Sequence, residues 1–252
     1  MLTGGNEGIG YHMIKHWLER GNAASVADIN CENVKKLQEE FPENLICFEV
    51  DISNYESVKY VATKTATHFG SINYAVHNAC LCLYKDFEHH TADDFKRVIE
   101  VNLNGAVNLT MAVMPVMRNQ GRGDIFFTSS GVGVTGFINI SSYASSKGAI
   151  ESLARCLNLE YKGSGIRFHI MHPPLTNTHS SSPLPIPVEF KESPGKVGKG
   201  LINNIGLKKF IVTPSLGTSI SVKLSYLLPM SMGSLLVWMT RRNQKKKVKI
   251  IS

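Results

Sequence analysis

The sequence predicts an α/β fold, a single domain built on a doubly wound parallel sheet in three layers. Short β-type runs alternate with longer helical patterns from the N-terminus to about residue 214. That order gives parallel strands joined by crossover helices. A glycine-rich turn, TGGNEGIG from Thr3, opens a helix and is followed by a strand that ends in an acid, Asp28. The side chains with chemistry in them fall at the carboxyl ends of strands, where such sheets place their sites. Hydrophobic residues at 43% and charged residues at 19% allow a sizeable core.

The elements follow in order. Gly4, Gly8 and Gly10 permit a tight turn and close approach to a pyrophosphate, and the helix over residues 8–20 offers its N-terminal amides to it. Asp28, closing the strand over 23–28, is placed to hydrogen-bond an adenosine ribose and to repel a 2′-phosphate. The next strand, 45–50, ends at Asp51, and Ser53 is expected to cap a helix over 53–69. A buried strand over 72–76 runs into His77-Asn78-Ala79-Cys80. Thr91 caps a helix to about 102, and the apolar run over 106–117 reads as a core or subunit-interface helix. The strand over 124–128 delivers Ser129 and Ser130.

Ile150, Leu153, Ala154, Leu157 and Tyr161 recur at helical spacing in the helix from Tyr143, which Gly163 and Gly165 stop. A strand over 166–171 follows, then a proline- and serine-rich lid over about 173–200. Ser193-Pro194 reads as a cap and first helical position, and 210–212 as the last strand.

Ser130, Tyr143 and Lys147 form the candidate catalytic set. Tyr143 and Lys147 stand one helical turn apart, on one face. An ammonium beside a phenol favours the phenolate, so the expectation is a lowered tyrosine pKa and a usable proton carrier. The Tyr-Lys spacing alone is a weak signal. Tyr55–Lys59 and Tyr60–Lys64 share it, but Pro42 and Cys47 stand where a serine partner would be.

Taken together, TGGNEGIG, HNAC from His77, VNLNG from Val101 and the Ser130, Tyr143, Lys147 set resemble the short-chain dehydrogenase/reductases over roughly residues 2–178. The resemblance implies a Rossmann-type fold and an oxidoreductase that moves a hydride between a nicotinamide dinucleotide and an alcohol or ketone. It assigns cofactor contact to Thr3, Gly4, Gly8, Ile9, Gly10, Asp51, Ile52, Asn78, Ala79, Tyr143, Lys147 and Thr178, beside Asp28. It also gives Asn102 a place in the proton relay, its backbone holding a water. Asn102 reads equally as a helix-kink asparagine. Asp28, and Glu7 where phosphate-preferring relatives tend to carry a base, favour NAD over NADP.

The chain departs from the family at Cys80 and Pro174, both glycine in the usual pattern, and proline stiffens the turn before Thr178. The first strand lies at the sheet's centre in this family, yet only Met1 and Leu2 precede Thr3. A strand commonly takes about five or six residues. The expectation is unpaired neighbouring ladders, with the true start upstream or the chain a fragment.

The formal charge of +7 is concentrated in Arg241, Arg242, Lys245, Lys246, Lys247 and Lys249, which leaves the body nearly neutral and argues against nucleic acid as a partner. The five cysteines show no C-x-x-C and the histidines no H-E-x-x-H, so no metal site or disulfide framework is expected. A reducing, cytoplasmic location is expected, and a homo-oligomer. Residues 215–252 form an apolar, then basic segment with seventeen uncharged residues between Lys223 and Arg241. Three readings stand for it: a short membrane span, an interfacial helix on anionic lipid through Trp238 and the basic cluster, or a tail packed over the substrate pocket or a neighbouring subunit. The segment suggests an apolar substrate such as a steroid, retinoid or long-chain alcohol. The rival functions are a catalytically silent dinucleotide sensor or scaffold and an NADPH-dependent ketone reductase of lipid synthesis.

Overall fold

A computed structural model describes the backbone of residues 1–251, with side chains through Arg242. In chain order the first half runs β1 (Leu2–Thr3), α1 (Gly8–Leu18), β2 (Ala24–Asp28), α2 (Glu32–Glu40), β3 (Leu45–Glu49), α3 (Tyr55–Phe69), β4 (Tyr74–His77), α4 (Ala92–Ile99) and α5 (Gly105–Gln120). The second half runs β5 (Gly123–Thr128), α6 (Val132–Thr135), α7 (Ser141–Glu160), β6 (Ile166–Met171), α8 (Pro194–Asn204), β7 (Ile211–Val212), α9 (Leu216–Leu227) and α10 (Pro229–Ile251). The seven strands form one parallel sheet in the order β3-β2-β1-β4-β5-β6-β7.

Side chains alternate across each strand, so adjacent residues feed opposite layers. Phe127 joins Leu109, Met117, Ile150 and Phe168 on the face covered by α3, α5 and α7. Phe126 joins Met13, Leu18, Leu37 and Leu201 on the face covered by α1, α2 and α8. The inner strands are buried on both faces, as a parallel sheet requires, while the edge strand β3 is only half-buried.

The central strand corrects one expectation. Leu2 pairs with Val26 and Val76, and Thr3 with Ala27 and His77. The ladder extends beyond both ends, from Gly4 N–H to the Ala27 carbonyl and from Val76 N–H to the Met1 carbonyl, each at 2.9 Å. Neighbouring strands are therefore not left unpaired here, because the parallel ladder uses flanking backbone on either side.

The cap of α3 is Asn54 rather than Ser53. Asn54 Oδ1 accepts the Ser57 N–H at 3.0 Å, while Asp51 Oδ1 holds the Ser53 N–H at 2.8 Å in the preceding turn. Thr91 caps α4 with a reciprocal bond from Asp94. A π-helical turn, Glu100–Asn104, joins α4 to α5, so Asn102 does sit at a helix irregularity.

The C-terminal apolar run is not one helix. It breaks at Leu228, and α9 and α10 diverge by 119°. Pro229, which cannot donate to the preceding turn, starts the second arm. Among the described residues no single helix is long and apolar enough to cross a membrane; only the bent pair passes by length and composition. Gly233 of α10 packs on the backbone of Thr135. Lys245, Lys246, Lys247 and Lys249 lie outside the described side chains.

Candidate active site

A cleft of about 1430 Å³ runs along the carboxyl ends of the strands, from Asp28 and Asp51 past Ser130 and Tyr143 to α9 and α10. Its first end is built from backbone. Gly4 has φ +70°, and a Cβ there would lie 2.5 Å from the Ala79 Cα. A Cβ on Gly10 would overlap the Gly4 carbonyl and the Asn78 amide. Asn78 Nδ2 donates to the Gly4 carbonyl at 2.8 Å, and Thr3 Oγ1 accepts the N–H groups of Asn78 and Ala79 at 3.2 and 3.3 Å. These bonds join the β1 and β4 loops into a cradle at the start of α1, where no side chain caps the helix amides. Ile9 lines the same end. Such a cradle fits the pyrophosphate of a dinucleotide.

Asp28 lines this end, its carboxylate accepting the N–H of Asn6 at 2.9 Å and of Asn30 at 3.2 Å. Asn6 in turn accepts the N–H of Asn33 at 2.8 Å at the start of α2. Asn6 was not singled out from sequence, although a polar residue inside a glycine turn was a visible signal. Asp51 and Ile52 border the cleft across from Asp28. Thr178 is brought back onto the glycine loop despite Pro174: its Cγ2 lies 3.0 Å from the Cβ position of Gly8.

At the other end, β5 delivers Ser130, and α7 carries Tyr143 and Lys147 into the same cleft. Lys147 is fully buried, its Nζ 5.5 Å from the Tyr143 ring centre. That Nζ donates to the Thr128 carbonyl at 2.7 Å. The expected depression of the tyrosine pKa is not what this packing gives. Burial pushes the Tyr143 phenol well above its ordinary value, Cys80 and Cys82 add to the push, and the Ser130 hydroxyl takes back part of it. Burial also draws Lys147 below its usual range, with the two thiols offsetting part. Burial penalises both charged forms, and the ammonium spends one of its three N–H groups on the Thr128 carbonyl.

Asn102 is wholly buried in the π turn. Its side chain accepts the Leu81 N–H at 2.7 Å and donates to the Leu81 carbonyl at 3.0 Å and to Ser146 Oγ at 2.9 Å. Ser146 donates to the Tyr143 carbonyl at 2.7 Å. The Asn102 carbonyl, which the resemblance gives to a relay water, meets His77 Nε2 at 2.8 Å. His77 Nδ1 faces Thr3 Oγ1 at 3.2 Å. Burial, with the Lys147 charge behind it, pushes the His77 pKa down to about 3, so the ring is neutral. No sequence pattern pointed to this bridge.

Cys80 and Cys82 line the cleft beside Tyr143. Burial and the neighbouring Cys80 push Cys82 up to about 12, so it stays a thiol and not a nucleophile. Past Tyr143 the walls carry Phe137, Ile140, Leu184, Val222, Met232 and Leu236, with the hydroxyls of Thr218, Ser221, Ser225 and Thr240 between them. Met232, Leu236 and Thr240 come from α10, so the C-terminal segment does pack over the cleft.

A family model described as short chain dehydrogenase matches residues 1–186. A 3alpha-hydroxysteroid dehydrogenase of Mediterraneibacter gnavus is 29% identical over 195 residues, covering 73% of this chain and 76% of the relative. A 3-dehydrosphinganine reductase of Danio rerio is 31% identical over 186 residues, covering 71% of this chain and 56% of the relative. Among solved structures, a short chain dehydrogenase from Burkholderia cenocepacia in complex with NADP has a TM-score of 0.79 at 19% identity, over 94% of this chain and 95% of that one. A 3-ketoacyl-(acyl-carrier-protein) reductase from Brucella melitensis complexed with NADH has a TM-score of 0.77 at 20% identity, over 84% and 92%.

Proposed function

The chain belongs to the short chain dehydrogenase family, an NAD(P)-dependent oxidoreductase acting on CH–OH and ketone carbons, and on that premise we propose that it uses NAD(H) on an apolar alcohol or ketone. One observation carries the reading: a serine, a tyrosine and a lysine share a cleft whose one end is a backbone cradle and whose other end is walled mainly by hydrocarbon, with the Thr218, Ser221, Ser225 and Thr240 hydroxyls among it. A bound nicotinamide dinucleotide supplies the hydride chemistry. Tyr143 takes the hydroxyl proton during oxidation and returns it during reduction. Ser130 orients the substrate oxygen. Lys147 supplies positive charge behind the phenol, and Asn102 supports the relay. Asp28 at the ribose end favours NAD, because a carboxylate repels a 2′-phosphate. A steroid, a retinoid or a long-chain lipid alcohol matches the apolar walls.

The test is a screen of alcohols with NAD or NADP, and of ketones with NADH or NADPH, read by nicotinamide absorbance. Turnover of apolar substrates with a lower KM for NAD is expected. A preference for NADPH would favour a ketone reductase of lipid synthesis. Dinucleotide binding without turnover of any of them would favour a silent sensor, a reading that the raised Tyr143 pKa supports.

We also propose a cytoplasmic, homo-oligomeric enzyme that touches an anionic membrane through α9 and α10. Five free cysteines suit a reducing compartment. Leu216, Leu227 and Met230 are 79%, 75% and 78% exposed, and the Arg242 guanidinium stacks 5.1 Å over Trp238 at the start of the basic run. Apolar area beside Arg and Lys is what an interfacial helix presents to anionic lipid. Pelleting with anionic vesicles, reduced by Leu227→Ser with Met230→Ser, is the expected result; unchanged pelleting of that variant removes the membrane reading.

A further inference from the structure

Glu151 lies one turn beyond Lys147 on α7, 2% exposed, and takes no part in the proposed chemistry. Three segments converge on its carboxylate. Ser129 Oγ donates to Oε1 at 2.8 Å, and Tyr226 of α9 donates to Oε2 at 2.7 Å. His172 Nε2 stands 3.2 Å from Oε1 and 3.1 Å from the Tyr226 hydroxyl. Half-exposed Arg155 reaches Oε2 from outside at 3.6 Å. His172 Nδ1 has no partner among the described residues, and Nε2 is the ring nitrogen that faces the cluster.

Ser129, His172 and Tyr226, which meet Glu151 from inside, are each the chain neighbour of a cleft wall. Ser129 precedes Ser130. His172 precedes Pro173 and Pro174. Tyr226 follows Ser225, and Ser221, Val222 and Ser225 of α9 line the substrate end. The α9 helix itself buries only Val222 and Ser225. Hydrophobic packing therefore anchors it weakly, and a charge-assisted hydrogen bond is a large share of what fixes its position.

We infer that Glu151 is a positioning residue, and that the Tyr226–Glu151 bond latches the α9 wall of the substrate pocket to the catalytic helix, setting how tightly the cleft grips a bulky substrate. The carboxylate stays ionised: burial pushes it up, and His172, Tyr226 and Ser129 more than offset that. Burial and the carboxylate together raise the Tyr226 phenol, so it remains a donor. The inference rests on the proposed oxidoreductase reading only for its kinetic consequence.

The test is Tyr226→Phe in the full-length protein, which removes one hydroxyl and keeps the ring. Amide hydrogen exchange over residues 216–227 should speed up about tenfold, or about 1.4 kcal/mol. Exchange in α7 and the affinity for NADH should stay within about twofold. The KM for a steroid ketone should rise about tenfold while kcat holds, and a small cyclic ketone should be unaffected. Glu151→Gln, which keeps an acceptor for Tyr226 but loses the charge, should give the same split at smaller size. Unchanged exchange in α9, or an equal change for both ketones, would overturn the latch. If neither ketone is turned over by the unmodified protein, the exchange measurement still decides the latch, and the proposed activity is what has failed.

Discussion

At the dinucleotide end of the cleft, Gly4 and Gly10 approach neighbouring backbone too closely for a side chain, and the Thr3 and Asn78 side chains tie the β1 and β4 loops together. At the substrate end, α9 and α10 leave Leu216, Leu227 and Met230 in solvent and bury little beyond Val222, Ser225 and Thr240. The first end is fixed by steric exclusion and by hydrogen bonds that join two loops of the sheet. The second is a cover held by a few side-chain bonds. A shared cofactor demands one fixed shape, whereas substrate choice tolerates a wall that is hung on later.

Four changes would break or sharpen that contrast, the largest first. Tyr143→Phe, at the junction of the two ends, should cut turnover about a thousandfold, the range for a positioned proton carrier. NADH affinity, measured by fluorescence titration, should stay within about twofold, since the hydroxyl is not part of the cradle. Retained turnover would move the chemistry elsewhere.

The second change is acid. The unfolded His77 ring binds a proton near 6.5, and the folded ring refuses it down to about 3. Between those values the unfolded chain holds more protons, so stability falls as pH falls, by about 1.4 kcal/mol per unit. Urea unfolding midpoints from about pH 7 to about pH 4 should show that slope, and His77→Asn should flatten it. An unchanged slope in the variant would mean other groups set the acid limit.

Gly10→Ala comes next. Its methyl overlaps the Gly4 carbonyl, so a cost of about 1–3 kcal/mol and at least about a tenfold loss of NADH affinity are expected. The smallest effect is its counterpart in the cover. A Cβ on Gly217 meets nothing within 4 Å. Gly217→Ala in α9 should therefore raise stability by up to about 1 kcal/mol in thermal unfolding. Equal costs for the two substitutions would erase the distinction between cradle and cover.

Much of this was legible before any coordinates. The strand–helix alternation, Thr91 as a cap, Ser193-Pro194 at a helix start and the glycine stop after α7 are local signals, and the elements stand where those residues require. The motif residues likewise converge on one cleft, because parallel strands bring their carboxyl ends to one side. Finer outcomes were not legible. Ser53 and Asn54 are both good caps, and only the Asp51 bond to Ser53 decides between them. The C-terminal run was long enough for one helix until Pro229 and the Thr135 contact bent it. The Tyr143–Lys147 spacing predicts a lowered phenol pKa if nothing else acts, and burial reverses the sign.

By itself the sequence determined the order of the layers, the backbone cradle and which hydroxyls and amine share the cleft, because backbone sterics and residue periodicity act over a few positions. Only the tertiary structure decided which charges are desolvated, that His77 bridges Thr3 to Asn102, and that Glu151 gathers Ser129, His172 and Tyr226. Those are facts of burial and of contact between residues up to 75 positions apart. Solvation energy depends on everything that surrounds a group, and no short stretch of chain contains that.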